Sequence, residues 1–128
     1  MAHSIQIFNS KAESFRDGDL FALVVWLKTF LLVKDDIPFK TLISKWEAEC
    51  ISCGPGTIDL KLSDLESQID FKEDLKDFLG DQIRKLSNSD TVLSGAYLQS
   101  KLKVPGVVFS DYPSSRLLET ITKLKSML

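Results

Sequence analysis

Residues 20–33, Leu20-Phe21-Ala22-Leu23-Val24-Val25-Trp26-Leu27-Lys28-Thr29-Phe30-Leu31-Leu32-Val33, are apolar on every side when wound as a helix, with only Lys28 and Thr29 interrupting. A helix that is hydrophobic all round belongs in the middle of a core, with other elements packed on several of its faces. The remaining chain therefore has to wrap around it. A membrane span is excluded by length, since crossing hydrocarbon takes roughly 20 apolar residues. The 14 residues here reach only roughly 21 Å at about 1.5 Å per residue. Glu13, Asp17 and Asp19 precede the segment, where a signal peptide would carry basic residues. The closing Lys125-Ser126-Met127-Leu128 is neither a prenylation box nor a retention signal. A cytoplasmic protein, off the membrane, is the expectation.

A chain of 128 residues is one domain by the usual prior, long enough to build a core without covalent staples. Its two cysteines make no disulfide framework. Sixteen basic against eighteen acidic residues give a net charge of −2, which argues against a general nucleic-acid or anionic-membrane binder. The charge is unevenly placed. From Asp59 to Asp81 eight acids meet three lysines, a local net of −5, whereas from Arg84 onward seven bases meet three acids, a local net of +4.

Along the chain, Ile5-Gln6-Ile7-Phe8 alternates and stops at Asn9-Ser10, which predicts a short strand running into a turn. His3, the single histidine, falls in unpatterned terminal residues and is read as frayed. Residues 11–18 are polar apart from Phe15, and Asp17-Gly18-Asp19 supplies a turn and an N-cap carboxylate for the central helix, which ends around Lys34. A second helix restarts at Asp36-Ile37-Pro38, with Phe39, Leu42, Ile43, Trp46 and Cys50 on its core face. Gly54-Pro55-Gly56 ends it. Thr57 to Leu62 alternates, predicting a half-buried strand with Ile58, Leu60 and Leu62 inward. The clearest helical period follows, in Phe71, Leu75, Phe78, Leu79, Ile83 and Leu86, with Asp70 and Glu73 at capping-box spacing. A shorter helix is expected over Thr91 to Lys101, interrupted by Gly95, then a strand at Val107-Val108-Phe109. A last helix places Leu117, Leu118, Ile121, Leu124 and Leu128 on its core face. The order predicts an α+β, helix-dominated single domain around a central buried helix, with a small sheet of two to three short strands. An all-α bundle is the alternative.

Chemistry is sparse. Cys50-Ile51-Ser52-Cys53 has redox spacing but falls at a helix C-terminus, where the dipole disfavours a thiolate. A metal would need two further ligands, and His3 is remote in sequence. No Ser-His-Asp set, P-loop, GxGxxG or HExxH is present. No catalytic residue, metal or cofactor is expected; a small enzyme using Cys53 or an acid pair is the least favoured reading. The one sharp surface feature is acidic. Asp74, Asp77 and Asp81 recur at i, i+3 and i+7, with Asp70 and Glu73 beside them, which sets these carboxylates along one side of a helix. Such a stripe complements a basic partner, speeding encounter and fixing orientation. A nuclease, whose groove must be cationic to hold phosphates, is a partner of that kind.

A small acidic chain that opens on a short strand, buries a hydrophobic helix and carries no catalytic set resembles the immunity proteins that bacteria pair with contact-dependent and other polymorphic toxins. What that resemblance implies is a non-enzymatic antitoxin that neutralises one cognate toxin domain by occluding it. The residues themselves nominate Asp70, Glu73, Asp74, Asp77 and Asp81 as the partner-binding face. A structural or adaptor subunit of a cytosolic complex, with an apolar contact surface, is the competing expectation.

Overall fold

The computed structural model describes residues 2–31, 37–52, 54, 56–87, 92–93, 95–101 and 111–128. Strand β1 (His3–Phe8) and strand β2 (Lys11–Arg16) form an antiparallel ribbon, with Phe8 opposite Lys11 and His3 opposite Arg16. Asn9 and Ser10 join them with φ of 48° and 66°. Positive φ at both central residues of a two-residue loop gives a turn whose twist matches that of the flanking strands. The sequence reading gives 11–18 as a polar segment without a strand, with a turn at Asp17-Gly18-Asp19, and β2 corrects it. Phe15 is the only β2 residue that is buried, so no alternation marks this strand. His3 likewise belongs to a strand instead of a frayed end.

Helix α1 (Asp17–Leu31) is the central element, with Leu20 through Val25 and Leu27 all buried. Its polar interruptions lie where neighbours can meet them. Lys28 Nζ donates to Glu47 Oε2 at 2.5 Å on helix α2 (Ile37–Ser52), and Thr29 Oγ1 donates to Val25 O. The predicted end at Lys34 lies outside the described residues. The helix starts at Asp17, one turn earlier than expected, so Asp17 and Asp19 sit inside its first turn and bond to other elements. Helix α2 buries Phe39, Ile43, Trp46 and Cys50, with Leu42 half-buried, as its period predicts.

Residues 57–60 form no helix or strand and Lys61 is left-handed at φ 54° and ψ 45°, while Ile58, Leu60 and Leu62 are buried as expected. They join no sheet, which corrects the predicted strand. Side chains of β1 replace the missing ladder: Gln6 Nε2 donates to Ile58 O at 2.8 Å, and Leu60 N donates to Gln6 Oε1 at 2.8 Å. Ile58 N donates to Ser4 Oγ, which donates in turn to Asp17 Oδ1. Trp46 Nε1 closes the set on Leu60 O at 3.0 Å. Backbone polar groups in a core must be satisfied, and here polar side chains do what a third strand would. The faces of β1 are inverted in consequence. Ser4 and Gln6 are buried, while Ile5 and Ile7 are 62% and 57% exposed.

After a single 3-10 turn (Leu62–Leu65), helix α3 (Ile69–Ser87) runs against helix α5 (Ser114–Met127). Asp70 lies in the first turn of α3 rather than at its cap. Phe39 joins α2 to α3 through rings at 5.5 Å from Phe71 and 5.0 Å from Phe78. Between α3 and α5 stand strand β3 (Val92–Leu93), helix α4 (Gly95–Lys101) and strand β4 (Tyr112–Pro113), with β3 antiparallel to β4. Gly95 thus begins a helix expected to contain it, and its N–H donates to Asp111 Oδ1. The strand predicted at Val107 to Phe109 lies outside the described residues. The architecture is α+β and helix-dominated around α1, with two separate two-stranded ribbons where one small sheet is expected. Among the described residues no helix is long and apolar enough to cross a membrane.

Candidate functional site

Helix α3 is amphipathic because its apolar residues recur at helical spacing, and burial of Leu75, Phe78, Leu79 and Leu86 turns its acids outward. Asp70, Glu73, Asp74 and Asp77 are exposed and Asp81 is half-buried. Not all are available. Asp81 is tied to Arg84 one turn on, and Glu73 stands 3.9 Å from both Lys72 and Lys76. Asp70, Asp74 and Asp77 have no cation partner among the described residues. Like charges three and four residues apart on a helix cost roughly 0.2–0.5 kcal/mol per pair. The helix dipole offsets this for Asp70 in the first turn, but not for Asp74 and Asp77 beyond it. Ile69, 64% exposed, stands at its head.

A second feature escapes sequence reasoning. The first turn of α1, the open end of the β1–β2 ribbon and the first half of α5 enclose a cleft of about 500 Å³. At its base Asp19 Oδ1 accepts two hydrogen bonds, from Tyr112 OH at 2.8 Å and from Arg116 Nε at 2.9 Å. The guanidinium carbon of Arg116 lies 5.7 Å from the centre of the Tyr112 ring. Burial, reinforced by the hydrogen bond to the Asp19 carboxylate, holds the Tyr112 hydroxyl well above the usual tyrosine range, against an opposing hydrogen bond with Thr120. Two turns further along α5, Lys123 sits 4.4 Å over the Phe15 ring of β2, donates to Ser14 O and lies 3.7 Å from Glu13 Oε2. Asp19 and β2 lie too far in sequence from Tyr112 and α5 for any spacing rule to join them, and Asp19 reads from sequence as a cap.

A second groove, of about 630 Å³, runs between α2 and residues 59–68. Leu42, Trp46 and Phe71 give it an apolar side, and Lys61 crosses it to Glu49 at 3.5 Å.

The thiol of Cys50 is buried in the last turn of α2, an environment for a small hydrophobe rather than a reactive thiolate. Cys53 lies outside the described residues. No group of three or more potential metal ligands occurs among the described residues. Neither a family model, a curated protein nor a solved structure matches the chain.

Proposed function

We propose that this chain is a non-enzymatic, cytoplasmic binding protein that neutralises a cognate toxin, of nuclease type, by occluding it. The observation that carries this reading is the stripe of Asp70, Asp74 and Asp77, which has no cation partner among the described residues. Three carboxylates held on a rigid helix raise the local negative potential, attract a cationic groove and orient it on arrival. Ile69 adds what charge cannot, an exposed apolar side chain able to enter a pocket and be desolvated there. The resemblance to bacterial immunity proteins is in keeping with this mode of action.

The competing reading, an adaptor subunit, draws on Ile5 and Ile7, which place an apolar strip on the outer face of the ribbon. Salt separates the two. The tagged full chain, incubated with extract of its native cell, is expected to hold one basic polypeptide at low salt and release it progressively as salt rises. With that partner purified, Asp70→Lys/Asp74→Lys/Asp77→Lys should slow association at least tenfold, while Ile5→Thr/Ile7→Thr should leave it unchanged. If the isoleucine variant loses binding and the charge reversal does not, the adaptor reading replaces the toxin reading.

A further inference from the structure

The cleft between the ribbon and α5 is built to present an arginine. Asp19, its side chain only 16% exposed, is anchored by the Tyr112 hydroxyl and takes the Nε–H of Arg116, while the guanidinium lies over the tyrosine ring. Holding arginine by Nε fixes its plane. Among the described residues no hydrogen bond engages its two terminal nitrogens, and the side chain remains 36% exposed along the cleft wall. A guanidinium fixed in this way offers a preformed two-pronged fork to oxygen atoms of an anion.

A second guanidinium, Arg16, lines the same cleft from the end of β2 and has no partner among the described residues. Lys123 is a third cation, already paired with Glu13 at 3.7 Å, and the carboxylates of Asp19 and Glu119 also line the cleft. Asp19 is engaged by Arg116 and Glu13 by Lys123, which leaves the Arg16 guanidinium as the cation of the cleft without a partner among the described residues, and Glu119 as the carboxylate likewise without one. Ser115, in the first turn of α5, contributes a hydroxyl at the rim, and that turn holds no acid to repel an anion.

We infer that this cleft binds the phosphate of a small phosphomonoester. A tetrahedral phosphate can give two oxygens to the Arg116 fork and a third to Arg16, whereas a carboxylate has no third oxygen to give and carries less charge. The cleft volume of about 500 Å³ leaves space for the organic body and falls within the roughly 300–1,000 Å³ of small-molecule sites. Nothing in this assignment depends on the acidic face of α3 or on a toxin partner.

The test is a titration of the full ¹⁵N-labelled chain with inorganic phosphate, followed by NMR at constant ionic strength, with acetate as a parallel arm. Phosphate should shift the Nε–H signals of Arg16 and Arg116 saturably and bind at least tenfold more tightly than acetate. Arg16→Gln should weaken phosphate at least tenfold with an otherwise unchanged amide spectrum, and Arg116→Lys, which keeps charge but loses the fork, should do the same. Lys11→Gln, at the far end of the ribbon, should have no effect. Shifts that never saturate, acetate binding as tight as phosphate, or a folded Arg16→Gln protein that binds like the wild type would each overturn the assignment.

Discussion

Gln6 shows how much one polar side chain can organise. Its amide bonds the carbonyl of Ile58 and the N–H of Leu60, two backbone groups in the core. Replacing it by leucine keeps the volume and adds apolar surface but strands both groups without water. Each stranded group costs roughly 1–3 kcal/mol, so Gln6→Leu should lose about 2–5 kcal/mol in urea denaturation; a loss under about 0.5 kcal/mol would mean that the segment is held by packing alone. Tyr112 gives a prediction in pH. Its folded pKa is raised, so the unfolded chain sheds the proton first and stability falls as pH climbs above about 10, the ordinary tyrosine value. Tyr112→Phe should remove that part of the alkaline decline, as read by melting temperature between pH 9 and 11. Neither role was legible beforehand. A hydrophobic pattern records which residues avoid water, and it is silent on polar residues that enter the core to serve another segment's backbone.

At the scale of elements, legibility followed the number of buried faces. Helices α2, α3 and α5 each bury one face, so their apolar periods gave their existence and their core residues. The same geometry placed Asp70, Glu73, Asp74 and Asp77 together outside. Strand β2 buries only Phe15, and a strand exposed on nearly all positions leaves no period to find. Strand β1 was visible as alternation, yet its faces are reversed, because Gln6 and Ser4 are required inward and Ile5 and Ile7 are displaced to the surface. The Asp19–Tyr112–Arg116 cluster joins elements distant in sequence, which local patterns cannot connect. The turn between the strands offers a direct test. Ser10 has φ of 66°, a region that costs a side-chain-bearing residue roughly 1–2 kcal/mol, more than the roughly 0.5–1 kcal/mol of extra chain entropy that glycine loses. Ser10→Gly should therefore stabilise the protein by about 0.5–1 kcal/mol. Destabilisation would show that the turn does not hold this conformation in solution.

For the whole molecule, α1 sets the stability because the ribbon, α2, α4 and α5 all pack on it. Leu23 lies within it, fully buried, whereas Ile7 on the ribbon is 57% exposed. Truncating each to alanine removes similar chemistry from opposite environments. Leu23 is part of the core on a helix that several elements pack against. Such surroundings cannot all collapse inward, so the cavity should persist and the cost approach the upper part of the roughly 2–5 kcal/mol range for buried leucine. Ile7→Ala should cost less than about 0.5 kcal/mol, as surface changes usually do. Set against a typical total of about 5–15 kcal/mol, Leu23→Ala should bring the protein close to its folding threshold. The loss should also be shared: Trp26 on α1 and Trp46 on α2 belong to or pack against one core, so tryptophan fluorescence and far-ultraviolet dichroism should report one coincident urea transition in the variant as in the wild type. Two separated transitions would mean that α1 is not the common scaffold. In that case the acidic face of α3 and the cleft on α5 would rest on elements that unfold independently of it.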